Sequence, residues 1–259
     1  MDRGGGELTG SRLLQAWATA AALTLTPSLA LRASAQSPAP RVVVGLSGGI
    51  QTSAPAFSDR FEFESNVETA AVAVEYPGGS AGVGDASVGV RLWKGLGAGV
   101  AVSTAARTGS ADLDARLPHP LLFERPRSLT DSQSGIRSSE IGVHTQLLYT
   151  LPVTARVVLV LSGGPSVVRL TQDLVTGITY DDTYPFDEVT FRNAPARRAK
   201  ASATGVNAGV DLRWMFTRSV GLGALVRYSR ASVDLRADAR TVQVRVGGAQ
   251  AGVGIRVIF

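Results

Sequence analysis

Apolar residues alternate with small or polar residues along most of the chain after residue 40, with the two-residue period of a β-strand. The clearest example runs from Thr204 to Phe216, where the even positions are mostly apolar and the odd positions carry every charge. The alternation predicts eight strands, at about 41–53, 80–93, 97–116, 136–149, 155–172, 198–216, 219–236 and 241–259. The pattern therefore predicts an all-β chain.

The connections between these strands alternate in length. Short links at 94–96, 150–154 and 217–219 are interleaved with longer polar links. The longer links lie at about 54–79, 117–135 and 173–197, with a shorter one near 237–240. This rhythm predicts an antiparallel up-and-down sheet. The first long link itself alternates, so we expect a hairpin there that extends beyond the main sheet; full pairing of 58–78 would give ten strands instead of eight.

The composition of the two strand faces indicates which face meets which solvent. The charged face is rich in glycine, serine and alanine, which suits the narrow interior of a small barrel. The apolar face carries Tyr149, Trp214, Phe216 and Phe259 beside the short links, where an interfacial aromatic girdle is expected. Because lipid offers no hydrogen bonds, a spanning sheet must close on itself. We therefore predict a single closed transmembrane β-barrel with apolar side chains outside and polar side chains inside.

The first 35 residues have the order of a secretory signal peptide. Arg3 and Arg12 precede a mostly apolar run, and Ala33-Ser34-Ala35 supplies the small residues of a cleavage site. We predict a signal peptide at 1–35, a linker at 36–40 and the barrel at 41–259. Cleavage after Ala30 and an uncleaved membrane anchor are the alternatives.

Composition excludes several classes of function. The 259 residues contain no cysteine, so disulfides, thiolate catalysis and cysteine-bound metals are excluded. The net charge is +5, and the basic residues are spread without aromatic interleaving, which argues against nucleic acid as a partner. The acidic segment between Asp173 and Glu188 lacks the residue order of a calcium loop. We expect no metal and no cofactor.

The last strand resembles the terminal strand of bacterial outer-membrane β-barrels. The segment from Val253 to Phe259 ends in phenylalanine and carries apolar residues at alternate positions before it, including Ile255 and Val257. The rhythm of short turns and long loops resembles the small eight-strand members of that family. The resemblance implies a location in the cell outer membrane, with short periplasmic turns and long extracellular loops. It also implies that the assembly machinery reads Phe259, Val257 and Ile255, and we expect a monomer.

Charged residues predicted to face the lumen are the candidate functional set. They are Asp85, Arg91, Glu140, His144, Asp211, Arg213, Arg227 and Arg256. Charges in a narrow lumen are costly unless they are paired, so this set predicts an internal polar network that plugs the barrel. Arg91, Arg213 and Arg256 lie near the short-turn end and could share Asp211.

Three readings of function follow from this set. The preferred reading is a structural or surface-interaction protein, without enzymatic activity, whose lumen is plugged. The alternative is a narrow pore for small solutes or ions, and the second alternative is an outer-membrane hydrolase that uses His144. Glu140 lies four residues from His144 on the same face, about 13 Å away, so it cannot orient the imidazole. Outside the barrel, the basic run 197–200 suggests contact with lipopolysaccharide phosphates, and the apolar segment 117–123 either covers the barrel mouth or contacts a partner.

Overall fold

The computed structural model describes residues 41–54, 56–237 and 240–259, which form twelve β-strands. The predicted signal peptide and linker lie outside the described residues. In chain order the strands are β1 (Val42–Ala54), β2 (Phe57–Ser65), β3 (Glu68–Tyr76), β4 (Gly79–Trp93), β5 (Leu96–Leu117), β6 (Arg127–Pro152), β7 (Val157–Val175), β8 (Thr179–Asp182), β9 (Val189–Asn193), β10 (Ala196–Met215), β11 (Val220–Ala237) and β12 (Arg240–Ile258). In this part of the chain, no helix is long and apolar enough to cross a membrane.

Eight strands close into a ring. Going around it, the order is β1, β4, β5, β6, β7, β10, β11 and β12, and β12 pairs back onto β1. All eight pairings are antiparallel. The closing pair runs from Val43 opposite Ile258 to Thr52 opposite Ala249. The predicted closed antiparallel up-and-down barrel of eight strands is confirmed, because each strand in the ring has a hydrogen-bonded neighbour on both sides.

The first long link forms the hairpin β2–β3 outside this ring. Residues 71–75 of β3 pair with residues 112–116 at the far end of β5, and β2 pairs with β3 alone. Strand β4 pairs with β5 only as far as Gly82 opposite Ala106, and β3 takes over the pairing with β5 beyond that point. The hairpin therefore takes the place of β1 and β4 at the end of the barrel where the long connections lie, here called the loop end. The opposite end, with the short turns, is the turn end.

Several predicted loops are in fact strand. Strand β6 begins at Arg127, nine residues before the predicted start at 136, and pairs with β5 up to Leu117. Gly135 is the extra residue of a bulge there, since Gly109 pairs with Ile136 and Ser110 pairs with Ser134. Its φ of 82° lies in the left-handed region, which glycine adopts without strain. Sequence alternation missed this segment because the bulge shifts its inward positions by one residue.

The barrel reverses its polarity along its own strands. On β11, the outward residues from Val220 to Tyr228 are apolar, whereas Asp234 and Arg236 on the same outward face are charged. Inside, Arg227 gives way to Val233, which lies further toward the loop end on the same inward face.

 The turn-end half of the barrel therefore has a polar interior and an apolar exterior, and the loop-end half has the reverse.

Exposure values support this division. In the turn-end half the outward side chains of Leu147, Val226 and Ile255 are 66%, 57% and 54% exposed, while the inward side chains of Arg227 and Arg256 are each 2% exposed. The outward apolar surface, here called the belt, runs along β11 from Val220 to Tyr228. That length is roughly 27 Å along a strand and somewhat less along the barrel axis once the strand tilt is included, which matches the apolar band of membrane barrels.

Aromatic side chains border the belt at the turn end. Trp93, Tyr149, Trp214 and Phe216 are 64%, 45%, 55% and 53% exposed there, and the rings of Trp214 and Phe216 lie 5.2 Å apart. The amphipathic rings of tryptophan and tyrosine favour the boundary between hydrocarbon and water. The aromatic girdle that the sequence predicts is therefore present at this end.

Candidate functional site

The interior of the turn-end half begins with an ion-paired cluster around Asp211. Arg256 Nε and Nη2 donate hydrogen bonds to the two carboxylate oxygens of Asp211 at 3.0 and 2.8 Å, and its Nη1 donates to Ser47 Oγ at 2.8 Å. Arg213 Nε donates to the same carboxylate at 2.6 Å. Glycine makes room for this cluster, because a Cβ placed on Gly223 would lie 2.6 Å from Arg256 Cζ. The two-pronged contact between Arg256 and Asp211 fixes the orientation of both side chains.

A second ion pair lies deeper in the lumen. Arg227 on β11 donates to the carboxylate of Asp85 on β4, and the side chains are only 2% and 6% exposed. Asp85 is in register with Ser47 on one neighbouring strand and with Ser103 on the other. Strands β4 and β11 are three positions apart in the ring of eight, so the pair spans the lumen between strands that are not neighbours.

His144 belongs to a network of neutral side chains. Its Nε2 lies 2.9 Å from Ser103 Oγ and its Nδ1 lies 2.8 Å from Ser166 Oγ. Asn207 donates to Ser166 Oγ at 2.9 Å and accepts a hydrogen bond from Gln146 at 3.0 Å. The imidazole is 1% exposed, so bulk solvent does not reach it. Both ring nitrogens contact hydroxyl groups, and no carboxylate of the described residues is hydrogen-bonded to the ring.

Glu140 lies at the top of this polar interior. It accepts hydrogen bonds from the backbone N–H of Gly247 at 3.1 Å and from Gln51 Nε2 at 3.4 Å. Gln250 in turn donates to Gln51 Oε1 at 2.9 Å. A cavity of about 10 Å³ between Glu140 and His144 has room for about one water molecule. As expected from their spacing, Glu140 does not contact His144.

The structure brings seven of the eight predicted lumenal residues into hydrogen-bonded contacts. Arg91 is the exception: it is half-buried on β4, and its guanidinium has no hydrogen-bond or ion-pair partner among the described residues, so it does not share Asp211 with Arg213 and Arg256. Sequence analysis missed most of the neutral members of the network. They are Ser47, Gln51, Ser103, Gln146, Ser166, Asn207 and Gln250. Their position on the polar face of a strand was the only signal in the sequence. That position does not show which inward-facing polar residues make hydrogen bonds and which only fill space.

The loop-end half is filled by apolar side chains instead. Members of this apolar core include Val72, Val74, Tyr76, Leu113, Leu117, Leu170, Leu174, Val233, Leu235, Val242 and Val244. Hairpin β2–β3 contributes the first three of these residues and closes over the side of the barrel where β1 and β4 have ended. The lumen is therefore occupied along its length, by polar groups near the turn end and by apolar groups near the loop end.

One set of contacts fastens the hairpin to the barrel. Arg240, at the start of β12, forms an ion pair with Asp59 of β2 at 2.9 Å and donates to the carbonyl oxygen of Val175 at 2.6 Å. The guanidinium also lies 4.7 Å from the centre of the Phe61 ring. The hydroxyl oxygen of Tyr76 accepts the N–H of Val175 at 2.8 Å. Burial raises the pKa of the Asp59 carboxyl above its ordinary value, although Arg240 opposes this shift.

The tip of the loop end is an exposed apolar surface, here called the apex, formed by Val67, Leu121, Leu122 and Phe123. Val67, Leu121 and Phe123 are 92%, 68% and 74% exposed. The predicted apolar segment 117–123 thus divides: Leu117 enters the apolar core, and its last three residues face outward. These three residues are therefore the part of the segment that is available for contact.

Hydrogen bonds hold the apex in one conformation. His119 Nδ1 accepts the N–H groups of Leu121 and Leu122 at 3.1 and 3.2 Å. Glu68 Oε1 accepts the N–H of Glu124 at 2.9 Å, which ties the turn between β2 and β3 to the same loop. Val67 has a φ of 66°, which is strained for a β-branched residue.

The C-terminal residue is joined to the start of the barrel. Phe259 N donates to the carbonyl oxygen of Val42 at 2.9 Å, and Val42 N donates to the carbonyl oxygen of Phe259 at 3.3 Å. The Phe259 and Ile255 side chains are 75% and 54% exposed on the belt, and Val257 is half-buried. The predicted assembly signal therefore lies on the strand that closes the ring.

Comparisons with known proteins complete the description of the fold. No family model matches the sequence, and no curated protein matches it. Among solved structures, the chain is similar to Neisserial surface protein A (NspA), with 17% identity and a TM-score of 0.42 over 85% of this chain and 97% of that chain. It is also similar to the outer membrane protein OprG from Pseudomonas aeruginosa, with 9% identity and a TM-score of 0.44 over 85% and 96% of the two chains. The outer membrane protease OmpT from Escherichia coli has 9% identity and a TM-score of 0.38 over 85% and 97%. The assignment of a closed barrel rests on the strand pairing of this chain itself.

Proposed function

We propose that the protein is a non-conducting outer-membrane β-barrel with a structural or surface-interaction role, and that it presents the apex outside the cell. The observation that carries the proposal is the occupied interior. Two buried ion-pair clusters and a neutral hydrogen-bonded network fill the turn-end half, and the apolar core fills the loop-end half. A barrel built in this way can display a surface but has no continuous water path.

The reversal of polarity supports membrane insertion with the loop end in water. Exposed apolar side chains around the turn-end half are favourable only in hydrocarbon, whereas the charged exterior of the loop-end half is favourable in water. The partners that this orientation implies are outer-membrane lipid and lipopolysaccharide, with the assembly machinery reading Phe259, Val257 and Ile255 during insertion. The ring is complete within one chain, which supports a monomer.

The narrow pore is less well supported. Solute passage would require movement of the central Arg227–Asp85 pair and also of the apolar core above it. Each is a separate barrier, because unpairing a buried charge costs several kcal/mol and apolar constrictions exclude water. The hydrolase has one favourable contact, between Ser103 and His144. The imidazole is nevertheless sealed from solvent, and its other nitrogen contacts Ser166 rather than a carboxylate.

Two measurements test the proposal. Cell fractionation with heat-modifiable gel mobility reports whether the chain is an outer-membrane barrel; a soluble protein whose mobility ignores boiling would refute the membrane location. Planar bilayer recordings report conduction, and we expect no reproducible single-channel steps. Reproducible single-channel steps that grow larger when the Arg227–Asp85 pair is removed would instead establish the narrow pore.

A further inference from the structure

A shallow depression of about 530 Å³ opens on the outer wall of the barrel across β5, β6, β7 and β10. We call it the rim basin and define it by Ala106, Arg137, Ser139, Thr171, Arg198 and Lys200. Three of these six side chains are cationic and three are short. Arg107, Thr108 and Ser138 also line the depression.

Strand register places the rim basin directly above the belt. Ser139 is in register with Thr171, and Thr171 with Lys200, so these residues form one row across three strands. Ile141, two residues from Ser139 on the same outward face, is 48% exposed and belongs to the belt. Two residues along a strand span about 7 Å. The basin therefore lies at the height where lipid head groups begin.

The short side chains and the cations have complementary positions. Ala106, Ser139 and Thr171 form a floor that lets a ligand approach the sheet. Arg137 lies on β6, and Arg198 and Lys200 lie on β10, so cations flank β7 on both sides at a separation of about 10 Å. Because Asp173 of β7 lies between Arg137 and Arg198, a phosphate group would lie over Thr171, beside Lys200 and within reach of the two arginines.

The basin also has an excess of positive charge. Its nearest acid, Asp173, accepts the backbone N–H of Arg137 at 3.2 Å and Nε of Arg198 at 3.3 Å. The guanidinium of Arg137 and the ammonium of Lys200 have no hydrogen-bond or ion-pair partner within the described part of the chain. One carboxylate thus faces three cations, which leaves the basin suited to a doubly charged anion.

We propose that the rim basin binds the phosphate of a phosphorylated outer-leaflet lipid. The arginines match phosphate geometry with paired N–H donors, and Lys200 adds a third charged donor. The acyl chains of the lipid would lie against Ile141 and the neighbouring belt residues Val143 and Val167, which a free phosphate ion would not use. This inference rests on the proposed outer-membrane location, and it names the lipid chemistry that the barrel recognises there.

The test uses the full chain folded in phosphatidylcholine nanodiscs. The probes are bisphosphorylated lipid A, dephosphorylated lipid A and inorganic phosphate, and native mass spectrometry measures the lipid retained. We expect retention of the phosphorylated lipid over the dephosphorylated one. The variant R137Q/K200Q should lower that retention by at least about tenfold, since it removes two charged donors. The matched variant R156Q/R218Q, which neutralises two exposed arginines in turn-end loops, should leave retention unchanged.

Each other outcome has a defined meaning. Equal retention of both lipids, or equal loss in both variants, would overturn the inference. Competition by inorganic phosphate at concentrations similar to the lipid would show a free-ion site and would also overturn it. Heat-modifiable mobility is measured for every variant, so that a folding defect is recognised. A barrel that folds and fractionates with the outer membrane but lacks lipid preference refutes the rim basin alone, whereas a soluble protein refutes the proposed location.

Discussion

The Arg227–Asp85 pair gives the most direct test of how the lumen is sealed. Its side chains are 2% and 6% exposed, so solvent screening is small. Removing one partner leaves a buried charge without compensation, which costs about 3–5 kcal/mol. Replacing both partners removes the two charges together and costs less than the sum of the single changes. We therefore expect D85N and R227M each to lower the free energy of unfolding by about 3–5 kcal/mol, with a coupling of at least about 2 kcal/mol in the double variant.

The assay is urea unfolding of the barrel in phosphatidylcholine vesicles. Trp93 and Trp214 border the belt at the turn end and report the transfer from lipid to water through their fluorescence, and heat-modifiable mobility reports the folded fraction. Arg218→Gln in the exposed turn between β10 and β11 is the control and should change the free energy of unfolding by less than about 0.5 kcal/mol.

A specific result would refute the reasoning. If both single variants stay within about 0.5 kcal/mol of the parent, or if their effects simply add, the pair is hydrated and the centre of the lumen is wet. The proposal of a sealed barrel would then lose its main support, and conduction would become the better reading.

Three further predictions concern other parts of the barrel. Gly223→Ala should destabilise the barrel by about 1–3 kcal/mol in the same urea assay, because the added Cβ would lie 2.6 Å from Arg256 Cζ; an unchanged midpoint would show that this guanidinium can move. Val67→Gly should raise the free energy of unfolding by about 1 kcal/mol, because the φ of 66° is strained for valine, and a loss of stability would contradict that account. The Asp59 carboxyl has its pKa raised from 3.8 in the folded state, so the native protein binds its proton at higher pH than the unfolded chain does. The stability from this group is present below pH 3.8 and is lost as pH rises through the raised pKa. Asp59→Asn should remove this part of the dependence of the free energy of unfolding on pH. An unchanged pH dependence in the variant would refute the account.

The alternation of side chains was sufficient to predict the ring and its inside. Outward and inward positions on a strand alternate because of backbone geometry alone. Whether Val226 or Arg227 faces outward can therefore be read from the local sequence. The same holds for the aromatic girdle, since Tyr149 and Trp214 can be placed by parity and by distance from a turn. Hairpin connections between successive strands are also local, which is why the order of most of the ring could be predicted.

The pairing of charges could not be predicted in this way. Asp85 and Arg227 are separated by 142 residues, and their contact depends on which strands face each other across the closed ring. Strand alternation placed Arg91 in the lumen with the other predicted lumenal arginines, but it does not show which arginine reaches Asp211. Only the positions of all eight strands together decide that Arg213 and Arg256 do so.

By itself, the sequence determined an all-β chain, its division into alternating faces and the identity of the residues available to the lumen, because these follow from the two-residue period. The tertiary structure decided that the polarity reverses along the strands and that hairpin β2–β3 fills the side left by β1 and β4. It also decided that short side chains on three strands align beneath three cations to form the rim basin. These features depend on register between distant segments, which is set when the ring closes and every backbone group must find a partner across the sheet.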